Sequence, residues 1–70
     1  MLKEDQYEIY KDGEAFVMFH VAHGVLWETG SDDPKSFDMN DATEIPQEEY
    51  EQFKVGKELI KTNVRRKKKV

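Results

Sequence analysis

The chain contains no cysteine, which removes disulfides and thiolate metal sites as ways of holding a small fold together. Proline is scarce, at two residues, and glycine appears four times, so no proline-rich or glycine-rich linker divides the chain. No apolar run approaches the roughly 20 residues of a membrane-spanning helix. The longest, Ala15 to Trp27, is broken by His20, His23 and Gly24. The opening Met1-Leu2-Lys3-Glu4-Asp5 lacks the apolar core of a secretion signal, and the expectation is a soluble, cytoplasmic protein. At 70 residues there is room for one domain, which buries only about 60% of its unfolded surface and is correspondingly marginal in stability.

Catalytic and metal-binding patterns are also missing. His20 and His23 are the only histidines, and three residues apart on a strand they point to opposite faces unless the turn bends them together, so one half-buried strand histidine and one turn residue are expected in place of a shared metal. The spacing Asp38-x-Asn40-x-Ala42-x-Glu44, with Glu49 beyond, imitates a calcium loop. It fails because Ala42 offers no side-chain oxygen and Thr43 stands where the sharp turn needs glycine. Ser31 and Ser36 sit among carboxylates with no oriented base beside them. Paired acids such as Asp32-Asp33 and Glu48-Glu49 would need a pocket that raises one pKa, and a domain this small has little room for one. The expectation is a non-enzymatic protein without cofactor or metal.

What the chain does have is charge sorted by position. Residues 1–53 carry fourteen acids against Lys3, Lys11 and Lys35, a net of −11, whereas residues 54–70 carry eight cations against Glu58, a net of +7. Such an asymmetry points to an interaction partner more than to a fold.

The local patterns predict an α+β domain over residues 1–64 and a basic tail over 65–70. Tyr7 and Ile9 alternate with polar neighbours, and Asp12-Gly13 is the dipeptide of a tight type I′ turn. Residues 14–22 are apolar on both strand faces, the pattern of a central strand covered on both sides. His23-Gly24 marks a second turn and Val25–Glu28 a third strand, giving a three-stranded antiparallel meander. An acidic loop follows from Thr29 to Glu44, with Phe37 and Met39 as candidates for a short fourth strand. From Pro46 the pattern becomes helical, with acids near the positive end of the helix dipole and the basic run near the negative end. Tyr50, Phe53, Ile60 and Val64 form one apolar stripe, so a single C-terminal helix is expected to pack on the sheet. Its opposite face would then be covered by a homodimer, by a bound partner, or by the loop folding back.

Small size, absent cysteine, the acidic 1–53 body and the helix opening Ile45-Pro46-Gln47-Glu48-Glu49-Tyr50 together resemble the small host-takeover proteins of bacteriophages. Among these are DNA mimics that occupy the nucleic-acid site of a host protein. The resemblance implies a bacterial-cell setting and a basic host target, an HU-like nucleoid protein first and RNA polymerase second. The carboxylates expected to make the contact are Glu28, Asp32, Asp33, Asp38, Asp41 and Glu44, continued by Glu48, Glu49 and Glu51. Exposed aromatic candidates (Tyr7, Tyr10, Trp27, Phe37) would anchor the partner. The alternative is a small nucleic-acid-binding regulatory protein that uses Arg65-Arg66-Lys67-Lys68-Lys69 to neutralise phosphates. The acidic body would oppose that binding, and the tail lacks the interleaved aromatics of nucleic-acid modules.

Overall fold

A computed structural model describes residues 2–65. It consists of one five-stranded antiparallel sheet and one helix, an α+β fold in which a three-stranded meander carries a helix on one face. Strands β1 (Tyr7–Asp12), β2 (Ala15–Ala22) and β3 (Val25–Ser31) form the meander. A single 3₁₀ turn (Met39–Asp41) leads to β4 (Thr43–Glu44), then α1 (Gln47–Phe53) and β5 (Glu58–Thr62). The strand order is β4-β3-β2-β1-β5, so the most apolar strand, β2, is the central one.

Both hairpins use two-residue loops, the second at His23-Gly24 as expected, but the first differs from the expected turn in position and type. Asp12 pairs with Ala15, so the first loop is Gly13-Glu14. Only its first residue has positive φ (+65°), the requirement of a type II′ turn. The type I′ geometry belongs to the second loop, where His23 (φ +57°) and Gly24 (φ +73°) are both left-handed. Glu4 holds that turn in place by accepting the His23 and Gly24 N–H groups at 2.7 and 3.0 Å. Those bonds, Gly24's first, keep its carboxyl below the usual range.

The C-terminal third departs from a continuous helix. Helix α1 stops at Phe53, and Lys54 to Lys57 form a turn closed by the Lys57 N–H to the Lys54 carbonyl at 3.1 Å. Its third residue, Gly56, has φ +76°, the conformation that a type II turn requires and that a helix interior forbids. The glycine expected to weaken the helix therefore ends it. Ile60 is not on a helical stripe. It lies in β5, 40% exposed, where a bulge opposite Ile9 and Tyr10 shifts the β1–β5 register. Helix α1 consequently has no basic residue in its last turn, and the expected match of basic run to helix dipole is lost. The short fourth strand exists, but at Thr43–Glu44 instead of at Phe37 and Met39. Of the expected basic tail, all beyond Arg65 lies outside the described residues.

The core lies between α1 and one face of the sheet. Phe19 and Tyr50 are fully buried, and the Phe19 ring makes edge-on contacts with Tyr50 (5.0 Å, 72°) and Phe53 (5.2 Å, 68°). Each such pair contributes about 0.5–1.5 kcal/mol beyond area burial. Tyr10 approaches the same ring from β1 at 6.0 Å. The two tyrosine hydroxyls converge on Glu8, donating to Oε1 at 2.8 Å (Tyr10) and 2.5 Å (Tyr50), while Lys54 Nζ donates to the Tyr50 hydroxyl at 3.3 Å. This latch ties helix to sheet. A second clasp joins the two ends of the fold. Asn63 Oδ1 accepts the Tyr7 N–H at 2.8 Å, its Nδ2 donates to the Asp5 carbonyl at 2.9 Å, and Thr62 Oγ1 donates to the Tyr7 carbonyl at 2.8 Å.

Coverage of β2 on both sides is only half met. Val17 and Phe19 are buried under α1, whereas Phe16, Met18, His20 and Ala22 on the other face stay half-buried.

Candidate functional site

The structure divides the nine candidate carboxylates between two sides of the molecule. Glu28 pairs with Phe19 across β2 and β3. Directly opposed residues share a face, so Glu28 belongs to the helix side, with Glu48, Glu49 and Glu51 exposed on α1. Glu44 pairs with Trp27 and so faces the open side. Asp38 and Asp41 flank that side through the 3₁₀ turn, whose Met39 helps line a cavity there. Asp32 and Asp33 are exposed on the loop after β3.

Several of these acids also serve local structure. Asp33 Oδ1 accepts the Lys35 N–H at 2.9 Å, and Asp38 Oδ1 accepts the Asn40 N–H at 2.9 Å, capping the 3₁₀ turn. Glu51 accepts from Gln47 Nε2 at 2.8 Å and pairs with Lys54 at 3.3 Å. The Gln47 bond, followed by the lysine, holds its carboxyl below the usual range. Among the described residues this is the one salt bridge. Residues 2–65 hold fifteen acids and seven cations, a net of −8, and among the described residues nearly all of those acids have no partner ion.

The open face carries what position along the chain did not reveal. Two-residue loops fix the register so that Tyr7 pairs with His20 and His20 with Trp27, placing three rings in one row across β1, β2 and β3. Beside the row are two cavities that share His20 and Ala22. The larger, about 300 Å³, is bordered by His23, Trp27, Met39 and Ala42, and the smaller, about 240 Å³, by Asp5, Tyr7, Met18 and Val21. Trp27 is fixed by its Nε1–H donating to the Ala22 carbonyl at 3.1 Å. His20 Nδ1 is buried and has no hydrogen-bond partner among the described residues, and burial lowers the imidazole pKa below its ordinary value.

His20 is a half-buried strand residue and His23 a turn residue, and the turn brings the two together. The type I′ turn swings His23 back so that both border the larger cavity. Among the described residues, no three His, Asp or Glu side chains converge in a way that could hold a metal ion, and no helix is long and apolar enough to cross a membrane. Of the four aromatic anchors, Tyr7 and Trp27 are on the open face and Phe37 is half-buried in the loop, while Tyr10 is buried at 5% exposure on the core side. Compared with protein-family models, curated proteins and solved structures, the chain matches none.

Proposed function

We propose that this protein is a non-enzymatic, acidic inhibitor that occupies the nucleic-acid-binding surface of a basic protein and blocks access of DNA. The fitting targets are an HU-like nucleoid protein and RNA polymerase, in the cytoplasm of a bacterial cell. The observation that carries this reading is the unneutralised charge: fifteen acids on residues 2–65, with one salt bridge among the described residues. A solubility surface gains from interspersed charges of both signs. Over residues 1–53 three cations stand among fourteen acids, so this part of the surface keeps a one-signed field that attracts a basic partner over long range and speeds encounter.

The carboxylates act in place of phosphates. Asp32, Asp33, Asp38, Asp41 and Glu44 meet the partner from the β3–β4 connection, while Glu28, Glu48, Glu49 and Glu51 present a second acidic surface around the helix. The test is binding to a purified HU-like protein at increasing salt, with and without duplex DNA. Affinity should fall steeply with ionic strength and DNA should compete. Binding that is unchanged from low to high salt, or that leaves DNA bound, would sink the reading.

A further inference from the structure

On that reading, we infer that the open sheet face is the docking site for an arginine-bearing segment of the basic partner. The row Tyr7, His20, Trp27 ends at Glu44, three inter-strand steps from Tyr7, roughly 14 Å. At the other end Asp5 borders the smaller cavity beside Tyr7. The row is therefore a strip of rings with a carboxylate at each end. A guanidinium suits it twice over, because it stacks flat on aromatic faces and binds carboxylates through two parallel N–H bonds.

Charge decides between occupants of this half-buried apolar face. A second copy of the chain is itself net −4, and the β1–β4 part of its sheet lies in the −11 stretch of residues 1–53, while a nucleic acid brings phosphates, so either one laid on this face meets like charge. A cationic segment is the occupant whose sign complements the body. An extended peptide rises about 3.3 Å per residue, so four or five residues cover the row, with side chains at alternate positions facing the rings.

Trp27 is the only tryptophan, so its emission reports on the row directly. The whole protein is titrated with a nine-residue peptide carrying arginine at alternate positions, with a dT oligonucleotide, and with no addition while self-association is followed by sedimentation. A saturable change in Trp27 emission with the arginine peptide supports the site. So does a roughly tenfold weakening in the Asp5→Asn/Glu44→Gln double variant, with Asp12→Asn/Glu14→Gln, exposed at the first hairpin, unchanged. Asp5 sits at φ +67°, a conformation asparagine adopts readily, and circular dichroism checks that the variant folds. Absence of a saturable change, equal weakening in both double variants, a saturable response to the oligonucleotide, or a dimer that buries Trp27 each overturn it. Binding to an HU-like protein separates the two ideas. If that binding survives in Asp5→Asn/Glu44→Gln and is lost in variants of the loop or helix acids, this face is not the site, although the broader reading stands.

Discussion

Replacing Tyr50 with phenylalanine removes one oxygen and leaves the ring. In the native fold that hydroxyl donates to Glu8 at 2.5 Å and accepts from Lys54 at 3.3 Å, while the ring lies edge-on to Phe19 at 5.0 Å. A hydrogen bond to a charged group contributes about 1.5–3 kcal/mol. Glu8 keeps the Tyr10 hydroxyl as a donor and remains half-buried, so the loss should fall at or just below the bottom of that range, about 1–1.5 kcal/mol. Tyr50→Ala also empties the space beside Phe19 and should cost about 3–5 kcal/mol. A domain of this length has roughly 4–10 kcal/mol in total, so the alanine variant should be near unfolding and the phenylalanine variant should not. Urea titration followed by Trp27 emission measures both. With a slope near 1 kcal/mol per molar, Tyr50→Phe should lower the midpoint by about 1 M. The same hydroxyl fixes behaviour in alkali. Burial first, then the Glu8 bond, raises the Tyr50 pKa far above its usual value. The unfolded chain therefore loses this proton near pH 10 while the folded chain keeps it. Stability should fall as pH rises past about 10, and less so in Tyr50→Phe. If Tyr50→Phe is neutral, or as damaging as Tyr50→Ala, the latch does not work as described.

At Gly56 (φ +76°) an added Cβ would meet nothing within 4 Å, so Gly56→Ala should cost only the left-handed backbone penalty, about 1–2 kcal/mol, read as a shift in urea midpoint. Burial lowers the His20 pKa below 6.5, so the unfolded chain takes up this proton first. Its contribution is complete above pH 6.5 and declines as pH falls through that value toward the folded pKa. His20→Gln should flatten that slope in urea titrations between pH 7 and 5. Glu4 contributes in the same direction at lower pH. Its carboxyl is held low by the Gly24 and His23 amides, so its stabilisation is present above pH 4.5 and lost below, and Glu4→Gln should remove that acid dependence.

The meander was legible because its signals are local. Gly13 and His23-Gly24 supply the positive φ angles, and strand alternation assigns the faces. Two-residue loops even determine that Tyr7, His20 and Trp27 align, since every β1–β2 pair sums to one residue number and every β2–β3 pair to another. The first turn expected from the sequence, at Asp12-Gly13, lies one residue early, which would pair Tyr7 with Met18 in place of His20 and so misses that alignment. The end of α1 was not legible from periodicity. Tyr50, Phe53, Ile60 and Val64 fit a helical stripe by spacing, and only the pairing of Glu58–Thr62 with β1, a contact some 50 residues away, reveals the strand. Gly56 was the available clue, a residue more at home in a turn than in a helix. The acids were visible individually, but their split between two faces depends on sheet register and the path of the loop.

The clasp between Tyr7 and Asn63 has a kinetic consequence. Bringing two positions 56 residues apart together costs about 3.6 kcal/mol of chain entropy, plus a constant, from an otherwise disordered chain. Once Tyr50 is seated against Phe19, however, β5 is tethered to the growing sheet by the short turn at Lys54–Lys57, and most of that cost has already been met. The helix is thus a splint that converts a long-range closure into a local one. The order of assembly should be hairpins, then α1, then β5, with the amides of β5 the first to exchange when the native protein opens.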